Sequence, residues 1–212
     1  MTIFLLVLSA VIGYLLVSIN TSVVLSKVIY KTDIREKGSG NAGTTNALRS
    51  FGKKAAVFTL LGDLLKGILA VLIGWLLVRG AYHELAGVLA GGGAILGHNW
   101  PVYFGFKGGK GVLTTFAVML LLAPIPALIA LLVFIITVLI TKYVSLGSML
   151  AAFILPFLVF YRGDYISQPG GLSELFWFTV FVAVLIIVRH HANIGRLLRG
   201  EESKLFGKKK ER

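Results

Sequence analysis

The 212-residue chain is 57% hydrophobic and only 14% charged, with a mean hydropathy of +0.87, whereas a soluble domain carries about a quarter charged residues. Twenty-one Lys and Arg against nine Asp and Glu give a formal net charge of +12, which in a soluble protein would suggest nucleic acid. Here the composition excludes a soluble domain and the charge distribution excludes a nucleic-acid partner, while the lack of cysteine excludes disulfides, thiolate metal sites and a cysteine nucleophile.

In chain order, residues 3–27 form the first expected span. MTIFLLVLSAVIGYLLV has no basic residue ahead of it and is too long for the apolar core of a cleavable signal. Further apolar runs follow at 55–78, 125–141, 144–161 and 173–188, each near the ~17–25 residues a helix needs to cross ~30 Å of hydrocarbon. Two shorter runs, 85–97 and 112–123, flank a Gly-rich break. They read either as two full crossings or as half-helices around a re-entrant loop. The expected fold class is therefore all-α: a polytopic integral membrane protein of about seven transmembrane helices, with Gly-rich loops on its cytoplasmic face. It reads as a single domain over 1–212, ending in a basic tail at 199–212. No internal repeat is visible, so an inverted-repeat transporter gains no support.

With the N-terminus outside and a crossing at each break, eighteen of the Lys and Arg residues fall inside. Only Arg79 and Arg162 fall outside, and Lys66 lies within a helix. That asymmetry is a strong positive-inside signal and predicts a cytoplasmic C-terminus. Contact between the terminal KKKER and anionic lipid accounts for many of the same charges. The unusual segments, 38–54, 97–111, 142–148 and 189–202, all fall on this inner side, so any chemistry is expected there. The outer connections (AYHE, APIP and 162–173 with Pro169, Gly170 and Gly171) are short or featureless.

GSGNAGTTN begins at Gly38 and contains a literal G-x-G-x-x-G. A dinucleotide fingerprint needs a buried strand before it, and KTDIREK is instead a charged linker leaving a membrane helix. The glycines suit positive φ and close backbone approach to a ligand, with successive N–H groups forming a nest for an anion. Ser39, Asn41, Thr44, Thr45 and Asn46 add short polar groups, and Arg49 adds charge. A solvated loop with polar helix caps is the alternative.

Within 55–78, Asp63 and Lys66 of GDLLKG stand three apart in an apolar run, where an unpaired charge costs ~2.5–3.5 kcal/mol. They read as a structural pair supporting the cytoplasmic cavity, with direct participation the alternative. Gly91, Gly92 and Gly93 read as close helix packing.

GHNWPVYFGFKGGKG, 97–111, ends in Gly108-Gly109-Lys110-Gly111 directly before an apolar helix. It is no Walker loop, because Phe104 stands where glycine is needed and Gly111 follows the lysine. Backbone N–H groups, a helix start and a lysine nevertheless converge where phosphate would bind. Trp100, Tyr103, Phe104 and Phe106 read as an interfacial aromatic belt. The last set combines YVSLGS, 143–148, with RHHANIGRLLRGEE, 189–202. His190 and Asn193 share a face if the helix continues past the membrane, and a basic juxtamembrane helix is the alternative reading. No carboxylate cluster accompanies His98, His190 or His191 in sequence and His83 falls outside, so no metal site is expected.

Taken together, SGNAGTTN, GHNWPVYFGFKGGKG, YVSLGS and RHHANIGRLLRGEE resemble the motif set of the bacterial acyl-phosphate:glycerol-3-phosphate acyltransferases, in order and across essentially the whole chain. One departure is visible: the family's first motif usually reads GATN, and Thr44 here replaces its alanine. The resemblance implies a seven-helix enzyme of the bacterial plasma membrane with a cytoplasmic active site. It implies acyl transfer from acyl phosphate to the 1-hydroxyl of glycerol 3-phosphate, giving lysophosphatidic acid and inorganic phosphate. It calls for no cofactor, with membrane lipid as the surroundings and no protein partner specified. In the site so implied, Lys110, His190, Asn193 and Ser145 are the candidate catalytic residues. Ser39, Asn41, Thr45, Asn46, Arg49, His98, Gly108, Gly109 and Gly111 are the candidate substrate-binding residues, with Lys110 bridging the two phosphate sites and His98 fixing the loop rather than moving a proton.

An activated donor needs no covalent enzyme intermediate, and no Asp or Glu stands beside His98 or His190 in sequence to build a triad. Positioning and oxyanion stabilisation remain. A competing class is an inward-facing carrier of phosphate or an organophosphate.

Overall fold

The computed structural model describes residues 1–162 and 174–205, apart from the Arg162 side chain. The remainder of the 162–173 connection, with Pro169, Gly170 and Gly171, lies outside the described residues, as does the terminal KKKER. Among the described residues there are ten α-helices, three 3-10 turns and no strand. The chain divides into two compact units, Met1–Pro124 and Ile125–Arg212.

In the first unit, α1 (Thr2–Ser18) and α2 (Thr21–Val28) form one apolar stretch of 27 residues, interrupted at Ile19 and Asn20. Asn20 Oδ1 accepts the Val23 N–H at 3.2 Å. In an unbroken helix that amide would bond to the Ile19 carbonyl, so the asparagine both ends the first helix and caps the second. After a loop, α3 (Thr44–Phe51) leads into α4 (Lys53–Leu77), whose 25 residues extend ~38 Å. Helix α5 runs His83–Asn99. Its 17 residues make one continuous helix of ~25 Å. Helix α6 (Val112–Leu122) has 11 residues, ~16 Å, too short to cross a bilayer alone.

These helices pack through glycine. A Cβ at Gly13 would strike the Ala90 carbonyl, one at Gly93 the Ala10 carbonyl, and one at Gly97 the Tyr14 carbonyl. Helices α1 and α5 are therefore in backbone contact along their length, the arrangement that small residues allow where lipid offers no hydrophobic drive. On α4, Gly74 meets Ala86 and Ala90 of α5, while Gly67 meets Ala117 of α6. Gly91 abuts Val118, so Gly91 and Gly93 serve packing.

The second unit holds α7 (Pro124–Thr141), which begins at the boundary, then α8 (Val144–Arg162), α9 (Glu174–Arg189) and α10 (His191–Leu198). Gly147 of α8 lies against Phe134 and Val138 of α7. The expectation that one helix carries both His190 and Asn193 is corrected here, because α9 and α10 meet at a 56° bend. The His190 N–H bonds to Ile187 O at 3.0 Å, and its Nδ1 lies 2.7 Å from Ile186 O. The imidazole thus takes the carbonyl that the continuing helix would need. By length and composition four described helices can cross a membrane, or five if the bent pair is one span.

Candidate active site

Two Gly-rich segments come together in the first unit. The earlier one starts from a 3-10 turn, Ile34–Glu36, capped by Asp33, whose Oδ1 accepts the Arg35 N–H at 3.0 Å. Gly38 (φ 57°) and Gly40 (φ 72°) then turn the chain through left-handed backbone, as their motif required. Asn46 holds this turn from inside. Its Oδ1 accepts the Ser39 N–H at 2.9 Å, and its Nδ2 donates to Ile34 O at 3.1 Å and Lys37 O at 3.0 Å. At 1% exposure, Asn46 is committed to the shape of the loop. Ser39 and Arg49 are exposed, while Asn41 and Thr45 are half-buried.

The later segment is anchored at both ends. Tyr14 Oη donates to Trp100 O at 2.8 Å, and the Gly109 N–H donates to His98 O at 3.0 Å. A Cβ at Gly109 would run into His98 Nε2 and come within 2.7 Å of Ala42 O. Only glycine lets GGKG lie directly on SGNAG. Gly108 is pressed against His98 O and Pro101, and Gly111 (φ 77°) starts α6. Lys110 is half-buried between them in sequence.

Arg35 binds the two segments together, and sequence reasoning missed it. Its Nη1 donates to Phe104 O at 2.6 Å and Lys107 O at 3.2 Å. Its Nε and Nη2 donate to Asp33 at 2.9 and 2.7 Å, a paired geometry suited to a planar guanidinium. Hydrogen bonding from Arg35 leads the effects that lower the Asp33 carboxyl to about 2. The signal was available in KTDIREK as an acid and a base two apart, hidden among other linker charges. Of the expected aromatic belt, Tyr103 and Phe106 are exposed. Phe104 instead packs on a buried cluster of Val23, Ile34, Ala42, Ala47 and Ala55.

Beneath the later segment, Lys66 Nζ lies 2.8 Å from Asp63 Oδ1, the intrahelical pair the spacing suggested. One carboxylate reaches His98 from a distant part of the chain: Asp63 Oδ2 is 4.0 Å from His98 Nδ1. Thirty-five positions separate them in sequence, and close α4–α5 packing across Gly74 brings them together.

In the second unit, Glu202 gathers three groups. Ser145 Oγ donates to its Oε1 at 2.8 Å, Asn193 Nδ2 to the same oxygen at 2.6 Å, and Arg196 Nε to Oε2 at 2.7 Å. Burial raises the carboxyl pKa, but these hydrogen bonds and the Arg196 charge outweigh it, so the net shift is downward. The Leu205 N–H bonds to Lys142 O at 2.8 Å, closing the segment over α8. His190 is buried beside this set in sequence, at 3% exposure. Glu202 was quoted in the motif and given no role; its buried position could not be read from two adjacent glutamates.

A family profile described as glycerol-3-phosphate acyltransferase matches residues 7–200. The chain belongs to the glycerol-3-phosphate acyltransferase family. The glycerol-3-phosphate acyltransferase of Shouchella clausii (strain KSM-K16) is 46% identical over 204 residues, 96% of this chain and 97% of its own. That of Clostridioides difficile (strain 630) is 46% identical over 213 residues, covering both chains fully. Among solved structures, the glycerol 3-phosphate form of PlsY (YgiH), an integral membrane glycerol 3-phosphate acyltransferase, superposes with a TM-score of 0.81 at 35% identity. The match covers 97% of this chain and 96% of that one. The lysophosphatidic acid form gives 0.80 at 34% identity, covering 95% of each. This glycerol-3-phosphate acyltransferase is thus an all-α membrane enzyme, and the carrier alternative gives way.

Proposed function

We propose that this acyltransferase moves a fatty acyl group from acyl phosphate to the 1-hydroxyl of sn-glycerol 3-phosphate at the cytoplasmic face of the bacterial plasma membrane. The products are lysophosphatidic acid and inorganic phosphate. The observation that carries this reading is the contact of GGKG with SGNAG across Gly109 and Ala42. Two Gly-rich turns in contact, the second carrying Lys110, offer N–H groups and positive charge suited to phosphate. Gly108, Gly109, Lys110 and Gly111 cradle a phosphate, with Ser39, Asn41 and Thr45 beside them. Asn46 and His98 shape the cradle. Arg49, Ser145, His190 and Asn193 are assigned to glycerol 3-phosphate, on the family resemblance. The family match over most of the chain supports treating 1–212 as one acyltransferase.

The chemistry balances without an enzyme nucleophile. The glycerol hydroxyl oxygen attacks the acyl carbonyl carbon, the bond from that carbon to the phosphate oxygen breaks, and phosphate leaves. The hydroxyl proton passes to a phosphate oxygen of the donor. What the protein supplies is positioning and stabilisation of the developing oxyanion.

Purified enzyme incubated with glycerol 3-phosphate and acyl phosphate, acyl-CoA or acyl carrier protein, each separately, tests the donor. Lysophosphatidic acid and phosphate appearing together from acyl phosphate alone is the expected result. Acylation from acyl-CoA with acyl phosphate inert overturns it. Lys110→Ala should cost about 100-fold or more in rate; full activity in that variant would refute the cradle.

A further inference from the structure

Asp63, Lys66 and His98 are 1%, 7% and 4% exposed, and each sits against a defined group. Lys66 Nζ donates to the Ile19 carbonyl at 3.1 Å. That carbonyl lost its helical partner when Asn20 captured the Val23 N–H, so the lysine supplies the donor missing from the break between α1 and α2. The same ammonium holds Asp63 Oδ1, which leaves Oδ2 turned toward His98 Nδ1 at 4.0 Å. On the far side of the ring, Nε2 is the atom that a Cβ at Gly109 would strike. The His98 carbonyl meanwhile accepts the Gly109 N–H at 3.0 Å.

We infer that Asp63, oriented by Lys66, is a positioning residue for the Gly108–Gly111 turn and acts through His98. A carboxylate opposite Nδ1 favours the proton there, because the other tautomer would aim a lone pair at negative charge. The ring is then held in one orientation, with Nε2 toward Gly109, and forms a fixed wall behind the phosphate cradle. Intramembrane ion pairs are costly. This one serves two distant features at once, the broken first span and the turn that carries Lys110.

The inference rests on the proposed phosphate-binding role of that turn, and its test separates the two. Imidazole 15N shifts of histidine-labelled enzyme, with His98 assigned through His98→Gln, report the tautomer without reference to activity. The Nδ1–H form is expected in the unmodified enzyme, and the Nε2–H form there overturns the inference whatever any variant does. Asp63→Asn/Lys66→Met removes both charges and strands neither. It should shift His98 toward mixed tautomers and raise KM for the phosphate substrates about tenfold, with kcat little changed. A folded double variant with unaltered His98 signals or an unaltered KM refutes the positioning role. Should Lys110→Ala leave KM and kcat unchanged while the tautomer behaves as expected, the cradle reading fails and the Asp63–His98 arrangement stands.

Discussion

At the residue scale, buried polar side chains keep the loops in shape, and each can be tested alone. Glu202 collects donors from Ser145, Asn193 and Arg196. Glu202→Gln puts an amide opposite Arg196 and should destabilise the enzyme by about 1–3 kcal/mol, read by thermal unfolding in detergent, with activity falling in parallel. A variant as stable as the parent would show that the carboxylate is dispensable. Asp33 gives a pH prediction. Its folded pKa is depressed from 3.8 to about 2, so its contribution is fully present above pH ~4 and disappears as pH falls through ~2. Asp33→Asn should lower stability at neutral pH and flatten the acid dependence between those values. An unchanged acid limb would mean that the Arg35 pairing contributes nothing to stability.

At the element scale, helix lengths followed apolar runs closely, whereas helix breaks did not. The stretch 3–27 reads as one apolar run, yet it divides at Asn20 because one side chain competes for a backbone amide. The bend at His190 arises the same way, from an imidazole that reaches back to a carbonyl. Helix contact rests on glycines whose partners lie far away in sequence. Gly93→Val should force α1 and α5 apart, costing ~1–3 kcal/mol or more and lowering the yield of folded protein. Gly195→Ala, in the short α10 with only Arg199 nearby among the described residues, should be neutral or slightly stabilising. Equal thermal behaviour of the two variants would contradict backbone-close α1–α5 packing.

At the scale of the whole molecule, the absence of cysteine makes the proposed orientation directly measurable. Single cysteines at Lys37 and Ala81, both exposed, can be challenged with a membrane-impermeant thiol reagent in right-side-out and inverted vesicles. Position 37 should label only from the cytoplasmic side and position 81 only from outside. The reverse pattern would invert the topology and place the Gly-rich turns on the wrong side for a cytosolic substrate.

The sequence by itself determined the environment and the helices, because insertion into lipid depends on summed hydropathy along short windows, a property readable without a fold. It also marked SGNAG, GGKG and the 189–202 segment, since clustered glycines and basic or polar residues directly beside long apolar runs stand out in composition alone. Tertiary structure alone decided which residues support them. Arg35 joining the two turns, Asp63 facing His98, and Glu202 joining Ser145 to Asn193 are all contacts between residues dozens of positions apart or across a bend. Such pairings follow from where glycines let helices and loops touch, and no local pattern records that.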